Sequence, residues 1–254
     1  LGLLLSACGD AEAPQAAAPP EDVAGTSDVS PDLDAGEVLP VRLFEGVIYG
    51  AESGLGVGAA EVCVGSDADA TCATTDATGR FELSVPPGAL ELRWTAASYR
   101  PGRTWVGAEG GDDLQLPTLS QALWSEREQL NDETGDMGVL ARFMTTNLSG
   151  QSVPLQGVDL SMIGQASTSP VYGIESGTEP SKTSTSTDGY ALFVGVDNGS
   201  HALVATHPNG ACAPGLGIAS GSLNVEVVSG HVSIVLFECV VVVSDEASIS
   251  GTVR

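Results

Sequence analysis

Thr74-Thr75-Asp76-Ala77-Thr78-Gly79-Arg80-Phe81-Glu82-Leu83-Ser84-Val85 decides the fold class. It reads as a strand end, a polar turn and a strand in which Phe81, Leu83 and Val85 alternate with Arg80, Glu82 and Ser84. A period of two puts one set on each face of a pleated strand, so one face is buried and the other solvated. Upstream, Ala60, Val62 and Val64 share a face of Ala59–Val64, and Phe44-Glu45-Gly46-Val47-Ile48 opens the unit. Downstream, Pro86-Pro87-Gly88 turns the chain into Leu90, Leu92 and Trp94, whose alternation assigns Trp94 to the core, and Tyr99-Arg100-Pro101 follows.

The same order recurs later. Val139–Met144 opens a second copy, Gly157–Met162 matches the second strand, and Thr187-Asp188-Gly189-Tyr190-Ala191-Leu192-Phe193 matches the turn and its strand, with Thr187-Asp188 aligned on Thr75-Asp76 and a one-residue slip after it. Asp188-Gly189 is a two-residue hairpin signal. Asp197-Asn198-Gly199 then turns into His201–Ala205. Short strands broken by Gly, Pro, Asn and Asp predict an all-β protein of two antiparallel prealbumin/Ig-like β-sandwich modules, at 41–118 and 138–241.

Ala59-Ala60-Glu61-Val62-Cys63-Val64, Thr75-Asp76-Ala77-Thr78-Gly79-Arg80-Phe81, Pro87-Gly88 and Ser98-Tyr99 together resemble the carboxypeptidase regulatory-like, or transthyretin-like, module. The second copy departs from it: it has an insert from Gly164 to Pro180, Asp197-Asn198 in place of Pro-Pro, and no Gly-Tyr. The resemblance implies a fold and says little about function, because such modules stabilise, space or bind in many contexts. Between the copies, 119–137 is a helical connector. Thr118 and Gln121 have capping-box spacing, Leu119, Leu123 and Leu130 share a face, and Trp124 is expected to pack on a neighbouring module.

Leu1-Gly2-Leu3-Leu4-Leu5-Ser6-Ala7-Cys8 reads as an apolar run, two small residues and a cysteine, so 1–7 is expected to be the end of a secretion signal. Leu5-Ser6-Ala7-Cys8 resembles the bacterial lipobox, which implies lipidation at Cys8 and a membrane as partner through that anchor; several acyl chains hold firmly where one does not. Gly9 stands where an Asp would direct retention at the inner membrane, so the resemblance implies the outer membrane of a Gram-negative cell envelope. Residues 9–40 hold eight acidic residues, no basic ones and five prolines. Such a composition cannot bury enough apolar surface to offset its ordering entropy, so 8–40 is expected to be a disordered acidic tether. At the other end, 242–254 carries Ile249-Ser250-Gly251-Thr252-Val253, like Phe44–Val47, and is expected to be an extra strand or the start of a further module.

The 254 residues leave room for two domains of about 100 residues each. Acidic residues number 33 against 9 basic ones, a net charge of −24 spread over every segment. With no basic patch, nucleic acid is excluded as a partner. Five cysteines divide as Cys8 for lipid, Cys63 and Cys72 in the first copy, and Cys212 and Cys239 in the second. Four cysteines allow three pairings, and two per copy favours Cys63–Cys72 and Cys212–Cys239. Disulfides fit an extracytoplasmic compartment, and the spacing suits neither redox Cys-x-x-Cys chemistry nor zinc.

Signals for catalysis are poor. Intradiol dioxygenases resemble this kind of sandwich and imply iron held by two Tyr and two His. Here His201, His207 and His231 form no His-x-His pair, so this is the remote alternative. No Gly-x-Ser-x-Gly elbow and no phosphate-binding glycine loop is present. Asp67-Ala68-Asp69 lacks the ligand count of a calcium loop. No cofactor and no metal are expected. The reading is a non-catalytic envelope lipoprotein, a surface scaffold or protein-interaction module. The alternative is a glycan-binding module using Tyr99 and Trp105 as its platform.

Overall fold

A computed structural model describes residues 41–65, 70–108, 113–131, 135–164, 169–174, 183–216 and 223–242. Cys8 with the leader and tether, Asp67-Ala68-Asp69, most of the Gly164–Pro180 insert and 243–254 lie outside them. The described residues belong to one compact unit. Its first half holds β1 (Arg42–Gly50), β2 (Glu61–Val64), β3 (Thr71–Thr74), β4 (Arg80–Val85), β5 (Leu90–Thr95), β6 (Gly102–Val106) and β7 (Leu114–Thr118). Helix α1 (Gln121–Asn131) follows. The second half holds β8 (Gly138–Thr146), β9 (Ser152–Pro154), β10 (Asp159–Ile163), β11 (Val171–Tyr172), β12 (Tyr190–Val194), β13 (Gly199–Thr206), β14 (Gly210–Pro214), β15 (Leu223–Val227) and β16 (Val232–Val241).

The halves repeat one pairing scheme. Strands run β4-β1-β7 in the first half and β12-β8-β16 in the second, and β2-β5-β6 answers β10-β13-β15. The repeat extends to single hydrogen bonds. Thr75 Oγ1 accepts from Ala60 N and donates to the Val57 carbonyl, at 2.8 and 2.7 Å; Thr185 Oγ1 does the same with Val158 and Leu155, at 2.9 and 2.8 Å. Ile48 N donates to Gly79 O, and Phe143 N to Gly189 O. Both threonines are buried, as their satisfied hydroxyls allow.

The two copies do not stand apart. Sheet β11-β12-β8-β16 continues through β6 into β5, β2 and β3. In β12 every residue is buried: Tyr190, Leu192 and Val194 pack into the core of the first half, and Ala191 and Phe193 into that of the second. Strands β8 and β16 divide in the same way, with Leu140, Val232 and Ile234 on one side and Val139, Phe143, Val235 and Phe237 on the other. A sheet covered on both faces reads as a largely apolar run, which explains Val232–Phe237. Trp124 is fully buried in the shared cluster.

Four expectations need correction. The modules are not purely antiparallel: β1–β7, β8–β16 and β6–β16 are parallel pairs. Each parallel partner is far along the chain, which visits the opposite sheet before returning, and period-two alternation carries no information on strand direction. The equivalent of Thr75 is Thr185, not Thr187. The spacing from threonine to glycine is the same in Thr75–Gly79 and Thr185–Gly189, so no slip is needed, and only the aspartate moves. Asp188-Gly189 makes no two-residue hairpin: only Gly189 has positive φ, 71°, and Asp188 ties Ile174 N and Ser186 Oγ instead. The helix cap is Ser120, whose Oγ accepts from Leu123 N at 3.2 Å, while Glu52 accepts from Ser120 N at 3.2 Å. Thr118 belongs to β7, and its hydroxyl donates to the Arg100 carbonyl at 3.3 Å.

Candidate functional site

Strands β6 and β16 pair over two positions only, Gly102 with Val232 and Arg103 with Ser233. Trp94 helps start the pairing at Gly102, since any Cβ there would collide with the indole. Beyond Arg103 the ladder ends. Thr104 Oγ1 donates to the Ile234 carbonyl at 2.8 Å. Farther along, Gly215 N donates to Leu236 O and Leu216 O accepts from Gly107 N, each at 2.8 Å. The chain at Gly215-Leu216 thus fills the widening between the strands, and Leu216 adopts φ 59° to do so.

Beside this parting lies a cavity of 560 Å³, within the size range of ligand sites. Trp105, Leu216, Leu223, Val225, Val235 and Leu236 give it a largely apolar lining. Its buried charge is matched: Arg103 meets Glu91 at 2.7 Å. These two are diagonal neighbours on β6 and β5, since Glu91 faces Trp105 across the ladder. The opposite wall is β15, whose Leu223, Val225 and Val227 point inward while Asn224 and Glu226 point out. Among the described residues β15 pairs with β13 alone, and Leu223–Glu226 line the cavity. Ser233 Oγ donates to the Glu226 carbonyl there at 2.6 Å.

The two aromatic candidates part company. Trp105 is 45% exposed at the cavity wall, whereas Trp94 and Trp124 are 1% and 0% exposed. Tyr99 does not line that cavity; it packs on the first-half core, near Gly50, and bridges to Ser120. Burial raises its hydroxyl pKa, with the Glu52 charge adding to the shift. The histidines are scattered and serve local turns. His201 Nε2 meets the Asp197 carbonyl at 2.7 Å, His207 Nδ1 accepts from Asn209 N at 3.1 Å, and His231 Nδ1 meets the Ser229 carbonyl at 3.1 Å.

Cys63 is bonded to Cys72 and Cys212 to Cys239, each pair directly opposite on adjacent antiparallel strands. Glu61 stands beside the first bridge, but sulfurs joined in a disulfide offer no thiolate to a metal. A polar cluster joins the halves: Arg142 donates to the Tyr49 hydroxyl, which meets the Tyr190 hydroxyl at 2.9 Å. Burial raises both phenol pKa values. Sequence reasoning singled out Trp105 but missed Arg103, Leu216 and Asn224. Nothing local in Leu223–Val227 says that its outer edge fronts this cavity.

No family model matches the chain, and no curated protein matches it. Among solved structures, the Bacillus anthracis TIE protein aligns over 78% of this chain and 34% of its own, at 16% identity and TM-score 0.26. The minor pilin GBS52 of Streptococcus agalactiae aligns over 81% and 98%, at 12% identity and TM-score 0.29. The shaft pilin SpaA of Lactobacillus rhamnosus GG aligns over 81% and 100%, at 10% identity and TM-score 0.27. TM-scores of this size do not establish a shared overall fold.

Proposed function

We propose that the chain is a non-catalytic lipoprotein of the bacterial cell envelope, anchored at Cys8, whose β-rich body is a surface scaffold and protein-interaction module. The observation that carries this reading is the core shared by the two halves. A sheet buried on both faces ties the two halves through one core, an arrangement suited to holding a binding surface in place. Two disulfides suit an oxidising compartment. No described helix is long and apolar enough to cross a membrane, so a lipid at Cys8 would supply the attachment.

Cells expressing the full-length protein test the anchor. Wild type should take up labelled palmitate and sediment with the envelope, and Cys8→Ser should do neither. Unchanged labelling of Cys8→Ser overturns the anchor. Photo-crosslinking from Trp105 in intact envelopes tests the scaffold role, with covalent capture of a protein expected. A second reading, glycan binding, is favoured by the exposed Trp105 with Asn224 and Glu226 on β15 across the cavity. A flat aromatic beside hydrogen-bonding groups is the usual sugar platform. Saccharide binding on an array, abolished by Trp105→Ala, would establish it in place of protein binding.

A further inference from the structure

We infer that the outer edge of β15 is a strand-addition site that takes an extended, uncharged, apolar peptide segment into the cavity beside Trp105. This rests on the protein-interaction reading and names the partner's chemistry.

The fold supplies the precedent. Strands β6 and β15 hold the same place in the repeated scheme, β6 after β2 and β5, and β15 after β10 and β13. The outer edge of β6 is occupied by β16, which joins it in parallel and carries the sheet into the second half. The matching edge of β15 carries no strand among the described residues. An uncovered edge presents backbone N–H and C=O groups that template another strand. On β15 the Glu226 carbonyl points outward, because Ser233 Oγ reaches it from β16. Alternation along an antiparallel strand then turns the Asn224 N–H and C=O to the same side.

The cavity defines the segment that fits. Its lining of Leu216, Leu223, Val225, Val235 and Leu236 takes aliphatic side chains, and Trp105 covers one flank. Its one buried cation is spent on Glu91, so nothing inside neutralises an acidic side chain. The molecule's net charge of −24 adds repulsion against acidic partners. Backbone pairing would supply affinity and alternate side chains selectivity, as in other strand-addition sites.

The test uses the full chain and a capped heptapeptide of alternating Thr and Val, with a control in which Glu replaces Val. Trp105 reports binding, since Trp94 and Trp124 are buried. The Val peptide should shift the emission and protect the Asn224 and Glu226 amides from hydrogen exchange. The Glu peptide should bind at least tenfold more weakly. Asn224→Pro, which removes an edge donor, should weaken binding tenfold or more with an unchanged melting temperature. If Asn224→Pro fails to fold, Leu236→Trp, at a partly buried position of the lining, serves in its place. Equal binding of both peptides, no loss in either variant, or binding of a hydrocarbon dye or saccharide but not the peptide overturns the inference. Crosslinked capture of a protein away from β15 would leave the scaffold reading standing and this one refuted.

Discussion

Thr75 and Thr185 carry equal weight, although the chain around them differs. Each hydroxyl is buried and satisfies one N–H and one C=O of the preceding segment. Removing it leaves two buried backbone groups without partners. Thr75→Val and Thr185→Val should each cost about 1–3 kcal/mol in urea unfolding, while exposed Thr187→Val should be neutral within about 0.5 kcal/mol. The contrast shows what the sequence made legible. Asp-Gly drew the alignment to Asp188 as a turn signal, while the conserved physical role belongs to a buried threonine that side-chain type alone does not mark. Cysteine pairing was legible, because two cysteines in each copy restrict the choice. Reactivity within the pairs is not equal: Cys72 is exposed and Cys63 half-buried, but Cys239 is buried. Mild reductant should open Cys63–Cys72 first, as followed by alkylation and mass mapping. Losing Cys212–Cys239 should nevertheless destabilise more, by about 1 kcal/mol, because it closes 27 residues rather than 9.

Among the elements, α1 and the strands beside it show how local signals are redirected by packing. The helix was legible from its leucine spacing, but its cap stands at Ser120, two residues after the expected Thr118. Thr118 is held in β7, so Ser120 takes the cap and Glu52, from a distant turn, completes the pair. Ser120→Ala should cost about 1 kcal/mol. The strands below are joined by Tyr49, Arg142 and Tyr190, one each from β1, β8 and β12. Burial raises both phenol pKa values above the unfolded value of 10.0. Below about pH 10 both states keep their phenolic protons and this contribution to stability is whole. Above that, the unfolded chain loses protons that the folded chain still holds, so stability falls as pH rises. Melting temperature should therefore drop steeply above about pH 10, and Tyr190→Phe should flatten the slope. An unchanged slope in that variant would place the alkaline sensitivity elsewhere.

Over the whole molecule, the strand pattern spoke clearly and the assembly of strands did not. Alternation located β2, β4 and β5, because each local run records which face is buried, and the repeated order then placed β8, β10 and β12. It could not record that the face of β8, β12 and β16 turned away from their own core is covered by the other copy. That face carries Leu140, Leu192 and Ile234, which meet Trp124 in the shared cluster. Two sandwiches joined by a loose linker would unfold as two independent units. Here, unfolding the first half would strip cover from the second half's central sheet. Each of those three side chains would lose about 1.5–3 kcal/mol of burial, enough to couple the halves. Calorimetry of the whole chain should therefore give one transition, with van't Hoff and calorimetric enthalpies equal. Trp124→Ala should remove about 3–5 kcal/mol and, by thinning the shared cluster, begin to separate the transition into two. The separation is the discriminating observation, because a merely local role for Trp124 would lower one melting temperature and leave cooperativity intact. Two transitions in the unmutated chain would show that the halves fold independently and that the shared core does not couple them.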